Sequence, residues 1–566
     1  TVSAYFPDPQ GERITQGVNL VEFTADSADE LSQKLDSFQA FLSDQSHRNG
    51  APMSQVTAHG NVAVKYIWAM RKKAVGLLGN VQGEARPIPF VEDTAVPPEH
   101  LADYIMAFRA ILDRHQLAYG MFGHVDAGVL HVRPVLDMKQ PEDERRIRLI
   151  TDELVVLVKS FGGLLWGEHG KGFRSEFQPL FFGELFPVLQ QVKAHFDPNN
   201  QINPGKIATP HDGLTLIPID AVPTRGQKDR TISNSNWVSN ADALYCNGNG
   251  ACFNYDPFDD MCPSYKATGD RRHSPKGRAS LMREWLRIMS DMRVDVMQER
   301  DIDRFVWSPL RFIPRAWNSL RQQMGAYDFS HDVYDAMAGC LACKSCTGSC
   351  PVKVDVPEFR SRFMELYFGR YLRPIRHYGI GSLEGLLPWL ARIRPLYNGV
   401  VASKIGMGLM ARVAGLTAMP QLSGSTVQKA RRRMHIPWAT DKVLAALSES
   451  DRSRAVIIVQ DGFTSYFDAE VVIDSIKLYQ RLGFYPMLMP YQGNGKPYHV
   501  QGLITAFERS AKAMKARLEQ LTRYEIPLVG VDPSMTLTFR SEYKKAFPTF
   551  EAAVLLPQEF LSQRQP

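Results

Sequence analysis

The pattern of apolar and polar positions divides the chain into parts of different structural class. Between residue 17 and about residue 208, short β-rich runs alternate with amphipathic helical repeats. VNLVEFT is predicted to be a strand, whereas ADELSQKLDSFQAFLSD and ERRIRLITDELVVLVKSF have the 3.6-residue period of helices. Residues 1–208 are therefore predicted to form an α/β (α+β) domain.

The remaining pattern predicts a linker, a helical domain and a second α/β domain. Residues 209–241 are rich in Pro, Gly, Asp and Ser, which indicates a linker. Residues 242–449 are mostly helical in pattern, for example in ASLMREWLRIMSDM and PEFRSRFMELYFGRYL. In residues 450–566, the buried strand in RAVIIVQDGFTSYFD, the helical AEVVIDSIKLYQRLG and the strand FYPMLMP predict a βαβ unit.

Length and charge narrow the class of protein. A chain of 566 residues is too long for one core, and its net charge of +6 does not indicate the concentrated basic face of a nucleic-acid-binding protein. The most apolar run, GVVASKIGMGLMARVAGLTAMP, is interrupted by Lys404 and Arg412, so it is too short to span a bilayer. We expect a buried helix there, with docking at a membrane surface as the alternative.

All seven cysteines lie between Cys246 and Cys350, which favours a metal or cluster site in a reducing compartment over a disulfide scaffold. GCLACKSCTGSCP has the spacing CxxCxxCxxxCP. In that pattern the first three thiolates, Cys340, Cys343 and Cys346, hold one 4Fe-4S cluster, and the fourth, Cys350, binds a different cluster. Zinc is the competing interpretation, although zinc sites usually pair two CxxC knuckles.

Crossed ligation requires a second motif, and YCNGNGACFNYDPFDDMCP supplies it. Cys262 precedes a proline and is the natural fourth ligand of the first cluster, here called cluster A. Site B is then left with Cys246, Cys252 and Cys350, because Asn249 occupies the middle position and a neutral amide is a poor iron ligand. Site B could hold a three-iron cluster, a four-iron cluster with one non-cysteine ligand, or only inert thiols.

Two segments of the first domain carry candidate metal ligands. GHVDAGVLHV places His124 and His131 on either side of a turn, and LLWGEHGKG places Glu168 and His169 in a glycine-rich turn after an apolar strand. Two histidines and a glutamate form the ligand set of a divalent metal with an open position. A histidine-rich surface hairpin and an unrelated helix start would explain the same residues.

These segments, together with FDPNNQINPGKI, resemble the C-terminal half of FAD-linked oxidases of the vanillyl-alcohol oxidase type. That branch contains D-lactate, glycolate and D-2-hydroxyglutarate dehydrogenases, and the cysteine-bearing continuation is similar to the iron–sulfur subunit of glycolate oxidase. The resemblance implies an FAD- and iron–sulfur-dependent dehydrogenase that oxidises a D-2-hydroxy acid, first of all D-2-hydroxyglutarate to 2-oxoglutarate. D-Lactate or glycolate are the alternative substrates.

The resemblance also implies roles for individual residues. His124, His131 and Glu168 would bind a divalent metal, Zn or Mn, and His169 would take the hydroxyl proton as hydride leaves for the flavin. Asn203 would lie beside the flavin. The anionic substrate would be bound by Arg71, Lys171 and Arg174.

The expected partners follow from the same resemblance. Electrons would leave through cluster A to a quinone, an electron-transfer flavoprotein or another carrier, and the protein could form a homo-oligomer. The flavin-binding N-terminal domain of the family is expected to precede Thr1 and to be missing here, and residues 450–566 are expected to be an incomplete scaffold. A cytoplasmic location is expected, with peripheral attachment at the inner face of the membrane as a variant of it. The other class of function left open is an electron-transfer subunit that docks to a separate flavoprotein.

Overall fold

The computed structural model describes residues 17–45, 55–77, 83–170, 172–299 and 309–564. The chain divides into two compact units, Thr1–Gln82 and Gly83–Pro566. The first unit contains α1 (Ala28–Asp44) and α2 (Asn61–Leu77). Helix α1 is the helix predicted at ADELSQKLDSFQAFLSD, and it begins where the Ser27 hydroxyl accepts a hydrogen bond from the Glu30 N–H at 3.2 Å.

The prediction of a strand at VNLVEFT is wrong, because residues 17–25 form no strand. A strand requires a partner for its backbone hydrogen bonds, and the described residues of this unit contain no other strand. A short run of β-forming residues is therefore not sufficient to specify a strand at this position.

The second unit opens with a sheet covered by helices. Its elements are β1 (Arg86–Pro87), β2 (Thr94–Ala95), α3 (Leu101–Arg114), β3 (Tyr119–His124), β4 (Val129–Leu136), α4 (Pro141–Ser160), α5 (Gln178–Phe182) and α6 (Phe186–Phe196). Strand β4 pairs antiparallel with β1, β2 and β3, so it organises the sheet. The core contains Phe108 of α3, Val132 of β4 and Leu154 of α4. The predicted helix ERRIRLITDELVVLVKSF is confirmed as α4, and the predicted hairpin as β3–β4.

A helical part follows. Its helices are α7 (Arg225–Asp229), α8 (Asn234–Ser239), α9 (Ala241–Leu244), α10 (Pro263–Thr268), α11 (Pro275–Asp291), α12 (Pro309–Gln323), α13 (Phe329–Ala338), α14 (Ser345–Ser349), α15 (Val356–Arg370), α16 (Ile375–Gly381), α17 (Leu383–Leu390), α18 (Arg394–Ala402), α19 (Lys404–Ala414), α20 (Val427–Arg433) and α21 (Asp441–Ala445). The two helices predicted around the cysteine motifs are confirmed as α11 and α15. Helix α15 is buried nearly all round, so it forms the centre of this part. The segment predicted to be a linker, residues 209–241, contains the short helices α7 and α8.

Polar contacts join the sheet to the cysteine-bearing helices. The Glu84 carboxylate accepts hydrogen bonds from Trp237 Nε1 at 3.2 Å, from the Tyr245 hydroxyl at 2.7 Å and from Lys139 Nζ at 2.8 Å. Tyr245 directly precedes Cys246. These hydrogen bonds of Glu84 therefore connect the sheet to the start of the second cysteine motif.

The prediction that the most apolar run forms a single buried helix is wrong. The run forms two helices, α18 and α19, which meet at Ser403, and α19 buries none of its residues. Among the described helices, none is both long enough and apolar enough to cross a lipid bilayer.

The C-terminal part is a parallel sheet with helices. Its elements are α22 (Glu449–Arg454), β5 (Ala455–Val459), α23 (Gly462–Tyr466), α24 (Ala469–Arg481), β6 (Tyr485–Leu488), α25 (Lys496–Val500), α26 (Ile504–Thr522), β7 (Leu528–Gly530), α27 (Pro533–Thr538), α28 (Glu542–Ala546), β8 (Val554–Leu555) and α29 (Pro557–Gln563). The sheet order is β6-β5-β7-β8, with all neighbours parallel. The predicted βαβ unit is confirmed as β5–α24–β6. The four domain ranges given above stay predictions.

Candidate functional site

The hairpin and a neighbouring turn bring the first group of predicted residues together. His124 ends β3, and His131 lies in β4 with 3% of its surface exposed. The turn that carries Glu168 and His169 is attached to β2 through the bridge between Leu164 and Ala95. The apolar strand expected before this turn is reduced to that single bridge.

Gly167 allows the turn to approach the sheet closely. Its N–H donates to the Asp93 carbonyl at 2.8 Å, and a Cβ at this position would lie 2.9 Å from the Val129 side chain. That separation is too short for ordinary carbon atoms, so a larger residue would push the turn away. Glu168 and His169 thereby reach the histidines of the hairpin.

Three imidazoles surround one oxygen of the Glu168 carboxylate. Glu168 Oε1 lies 2.7 Å from His131 Nε2, 3.3 Å from His124 Nε2 and 3.5 Å from His169 Nε2. Imidazole nitrogens and a carboxylate oxygen that converge in this way are the donors that Zn and similar divalent cations take in proteins. The residues present therefore fit a divalent metal.

Asp93 is a member of this group that the sequence analysis missed. It is buried, and its carboxylate accepts hydrogen bonds from the Glu168 N–H at 2.9 Å and the His169 N–H at 3.1 Å. Ligand atoms of Asp93, His131, Glu168 and His169 all lie within 4.8 Å of one another. The structure thus offers a second donor set, in which Asp93 and His169 take the place of His124. The acidic pair Glu92–Asp93 between two apolar runs was the available signal.

The surroundings of His131 keep its imidazole neutral. Burial lowers the pKa of His131, and this outweighs the opposing effect of Glu92 and Glu168. Glu92 is itself held by Arg133, whose Nε and Nη2 donate to its two carboxylate oxygens at 2.8 and 3.0 Å. A neutral imidazole is the form that binds a metal.

The other predicted residues of this region lie in different settings. Arg174 is buried, and its Nη2 donates to the carbonyls of Glu92 at 2.5 Å and Leu165 at 2.7 Å. Its Nε and Nη1 have no hydrogen-bond partner among the described residues. Asn203 is exposed, with a φ of 47°. Arg71 lies on α2 in the first unit, with its guanidinium 5.3 Å from the centre of the Trp68 ring, and Lys171 lies outside the described residues.

The second group of predicted residues lines one cavity. Cys262, Cys340, Cys343 and Cys346 all face it, together with Arg278 and Lys344. Burial raises the pKa of the Cys346 thiol to about 12, so a bare thiolate is disfavoured there without a positively charged group to stabilise it. Four cysteines around one cavity fit the thiolate set predicted for cluster A.

The spacing of these sulfurs is informative about the type of centre. Tetrahedral zinc brings its four thiolates to roughly 4 Å from one another, since each Zn–S bond is about 2.3 Å. Among the described residues, the cysteines do not form a group of three or more ligand atoms close enough together to hold a single metal ion. A larger, multi-iron cluster therefore suits the cavity better than a single zinc ion.

Positive side chains lie against the same cavity. Arg278 is buried on α11, and its Nη1 lies 3.8 Å from Cys262 Sγ while its Nη2 donates to the Ser264 hydroxyl at 2.9 Å. Lys344 donates to the Ser541 hydroxyl at 2.8 Å and pairs with Glu542 at 3.0 Å. Such charges stabilise the anionic reduced form of a cluster and so raise its reduction potential.

Site B is less complete. Cys246 and Cys252 are buried neighbours, and burial raises the pKa of the Cys252 thiol. Neither cysteine joins Cys350 in a group of three close ligand atoms within the described part of the chain. The Asn249 amide is occupied locally, because its Nδ2 donates to Asn247 Oδ1 at 2.7 Å and its Oδ1 accepts from the Ala251 N–H at 2.9 Å.

Comparison with known protein families gives the class. Residues 4–207 match the family described as FAD linked oxidases, C-terminal domain, and residues 242–354 match the 4Fe-4S dicluster domain. The chain therefore contains an FAD-linked oxidase domain followed by an iron–sulfur domain, and the resemblance predicted from the motifs is confirmed. The sequence analysis expected the FAD domain of the family to be missing from this chain. That expectation is corrected, because a domain of the FAD-linked oxidase family, its C-terminal domain, is present.

Individual relatives agree with this class. The chain is 52% identical to the D-2-hydroxyglutarate dehydrogenase of Pseudomonas putida, over 99% of this chain and 56% of that protein. It is 47% identical to the D-2-hydroxyglutarate dehydrogenase of Escherichia coli, over 96% of this chain and 54% of that protein. A D-lactate dehydrogenase of Archaeoglobus fulgidus is 31% identical over only 22% of this chain and 28% of that protein. The chain spans about half the length of the curated D-2-hydroxyglutarate dehydrogenases that it matches.

Proposed function

We propose that the protein of which this chain is part oxidises D-2-hydroxyglutarate to 2-oxoglutarate. The observation that carries the proposal is the convergence of His124, His131 and His169 on one oxygen of Glu168. The similarity to D-2-hydroxyglutarate dehydrogenases along nearly the whole chain supports this substrate over D-lactate or glycolate.

In this proposal the residues of the hairpin and the turn hold and deprotonate the substrate. His124, His131 and Glu168 would hold a divalent cation, Zn or Mn. When bound, that cation would polarise the hydroxyl group of the acid, FAD would supply a two-electron acceptor, and the iron–sulfur cluster would supply a one-electron carrier. His169 Nε2 accepts the hydroxyl proton, because it faces Glu168 and more than half of its side chain is exposed.

The carboxylates of the substrate require cationic partners. Arg174 is one candidate, because its Nε and Nη1 have no hydrogen-bond partner among the described residues, and Arg71 and Lys171 stay candidates for the same task. Asn203 is proposed to lie beside the flavin. Asp93 holds the backbone of the turn through the N–H groups of Glu168 and His169, so it is a positioning residue.

The cysteines provide the exit for electrons. We propose that Cys262, Cys340, Cys343 and Cys346 hold a 4Fe-4S cluster, and that electrons pass from it to a quinone, an electron-transfer flavoprotein or another carrier. Cys246, Cys252 and Cys350 would form the incomplete second site. We place the enzyme in the cytoplasm, because the clustered cysteines suit a reducing compartment, and peripheral attachment at the inner face of the membrane is the variant of this location.

A substrate panel tests the proposal. Holoenzyme purified as its host produces it is assayed with D-2-hydroxyglutarate, L-2-hydroxyglutarate, D-lactate and glycolate, using an artificial electron acceptor. We expect kcat/KM for D-2-hydroxyglutarate to exceed the other values at least 100-fold. Preference for D-lactate or glycolate would contradict the substrate. Cluster absorbance without turnover or flavin binding would instead indicate an electron-transfer subunit.

The role of His169 is tested separately from the metal. A His169→Gln variant is expected to keep its bound metal and to lose at least 100-fold in kcat, because the base is removed while His124, His131 and Glu168 remain. Loss of metal in proportion to activity would assign His169 to the ligand set that includes Asp93. Metal content measured on the same samples separates the two outcomes.

A further inference from the structure

Helix α19 turns an apolar stripe outward. Ile405, Leu409 and Val413 follow one another at four-residue intervals, so they share one face of the helix. Their exposed fractions are 86, 62 and 66%. A surface helix of a globular protein ordinarily directs such a stripe at the core. In α19 the arrangement is reversed.

The preceding helices continue the same feature. Trp389 at the end of α17 and Leu396 in α18 are 68 and 66% exposed, and Ile393 between them is 45% exposed. They lie in successive helical segments, because Ile393 ends a short 3-10 turn between α17 and α18. Helix α18 packs on α19. We call these six residues, Trp389, Ile393, Leu396, Ile405, Leu409 and Val413, the apolar surface.

The segment that carries the apolar surface is strongly basic. From Gly385 to Thr440 there are eight Lys and Arg residues and no Asp or Glu, which exceeds the net charge of +6 of the whole chain. Lys404 and Arg412 directly precede Ile405 and Val413 in sequence, and Arg392 lies over the Trp389 ring at 5.9 Å. Within the described part of the chain, Arg392, Lys404 and Arg412 form no ion pair with an acidic residue.

We infer that the apolar surface docks on an anionic lipid bilayer, with its side chains at the depth of the headgroups and its cations against lipid phosphates. Exposed Trp, Leu and Ile beside Lys and Arg form the composition that binds in the plane of a membrane interface. A second copy of the chain fits the surface less well. A two-fold contact would place the same basic segment opposite itself, with no acidic residue between Gly385 and Thr440 to offset the repulsion.

This inference rests on the peripheral attachment named in the proposed function and assigns it to one surface. Vesicle binding is measured without substrate, so it can fail while oxidation of D-2-hydroxyglutarate holds, and the reverse. The inference is tested by co-sedimentation of the holoenzyme with vesicles of phosphatidylcholine containing phosphatidylglycerol, and with vesicles of phosphatidylcholine alone. We expect binding to the anionic vesicles, at least tenfold weaker binding to the neutral ones, and loss of binding as salt is raised.

Paired variants locate the surface. Ile405→Asp/Leu409→Asp is expected to lower the bound fraction at least tenfold. Its matched control, Leu149→Asp/Val156→Asp, changes two apolar residues of α4 that are 53 and 71% exposed, and it should bind within twofold of the unchanged protein. If the aspartates disturb folding, Ile405→Ser/Leu409→Ser replaces them, with the melting temperature and cluster absorbance as the check.

Three results would overturn the inference. The first is the absence of binding to anionic vesicles by the unchanged holoenzyme. The second is vesicle binding that survives both Ile405→Asp/Leu409→Asp and Lys404→Glu/Arg412→Glu. The third is evidence that protein, rather than lipid, covers the apolar surface. Either a change from dimer to monomer in Ile405→Asp/Leu409→Asp or protection of the α19 amides from hydrogen exchange before vesicles are added would be such evidence.

Discussion

Single residues determine whether the site formed by the hairpin and the Glu168 turn can hold a metal. Glu168 is the shared neighbour of three imidazoles, and its carboxylate supplies the only negative charge of the predicted ligand set. The turn that presents it depends on Gly167 and on the two backbone hydrogen bonds to Asp93. A change at Glu168 should therefore affect the metal first and the fold little.

We predict that Glu168→Gln lowers the amount of bound divalent metal at least tenfold, because the amide keeps the size of the side chain but loses its charge. Turnover should fall by at least 100-fold, while cluster absorbance stays unchanged. Metal analysis and visible spectroscopy of the same preparation check both statements. Asp126→Asn, an exposed carboxylate in the turn of the same hairpin, is the matched control and should leave both quantities unaltered. Full metal content in Glu168→Gln would contradict the assignment.

Arg278 is the residue that most directly adjusts the proposed cluster. It is buried, it approaches Cys262 Sγ at 3.8 Å, and its Nε donates to the Ala336 carbonyl at 2.7 Å. We predict that Arg278→Gln lowers the midpoint potential of cluster A by roughly 60 mV, which is a tenfold change in a one-electron equilibrium. Potentiometry followed by electron paramagnetic resonance measures it. Arg287→Gln, a partly exposed arginine of the same helix that pairs with Glu284 and Asp291, should leave the potential within a few millivolts. An equal shift in both variants would sink the idea.

At the scale of elements, the loop that carries the CxxCxxC motif is attached to the C-terminal part. Lys344 lies between Cys343 and Cys346, and it shares the buried Glu542 carboxylate with Lys496. Burial by itself would raise the pKa of Glu542, but the ammonium groups of Lys496 and Lys344 outweigh it and hold the pKa at about 2. The carboxylate is therefore charged at neutral pH, and its stabilising effect is lost only as the pH falls from about 4.5 towards 2.

We predict that Lys344→Met loosens this loop and speeds the loss of cluster A. The variant should lose roughly 1–2 kcal/mol of stability, because Glu542 keeps its bond to Lys496 while one buried ion pair is broken. Loss of visible absorbance after addition of an iron chelator is the measurement, and the rate should rise about tenfold or more. Lys353→Met, an exposed lysine of the same region, is the control. Equal rates in the two variants would show that the contact between the loop and the C-terminal part does not protect the cluster.

At the scale of the whole molecule, Glu384 joins the helical part to the C-terminal sheet domain. It lies on α17, and its buried carboxylate accepts hydrogen bonds from the N–H groups of Asn494 at 3.2 Å and Gly495 at 2.8 Å. Burial raises the pKa of Glu384 to about 7, and the nearby Asp461 acts in the same direction. The folded protein therefore holds a proton that the unfolded chain releases between about pH 4.5 and pH 7.

This difference makes stability depend on pH. Since the folded state binds the extra proton, Glu384 should cost the protein stability as the pH rises from 4.5 to 7, by on the order of 3 kcal/mol in total. We predict that Glu384→Gln flattens this part of the pH profile, so that its melting temperature gains on the unchanged protein as the pH rises to 8. Thermal melts across the pH range measure it, with the exposed Glu508→Gln as control. Parallel profiles for the unchanged protein and Glu384→Gln would contradict the prediction.

The sequence by itself determined the features that depend on local spacing. The helices α1, α4, α11 and α15, the β3–β4 hairpin and the β5–α24–β6 unit follow from periodicity, since neighbours along the chain form those elements. The cysteine spacing likewise singled out Cys340, Cys343 and Cys346, because a tight loop fixes the directions of its own thiols, and the crossed ligation typical of that pattern pointed to Cys262.

Only the tertiary structure decided what depends on partners distant in sequence. Asp93 enters the candidate metal site through a turn 75 residues further along the chain. The VNLVEFT segment forms no strand without a neighbour, and the apolar α19 lies on the outside. The physical reason is the same in each case. Burial and pairing are properties of contacts, and a pattern of residue types specifies which face of an element is apolar but not what, if anything, packs against it.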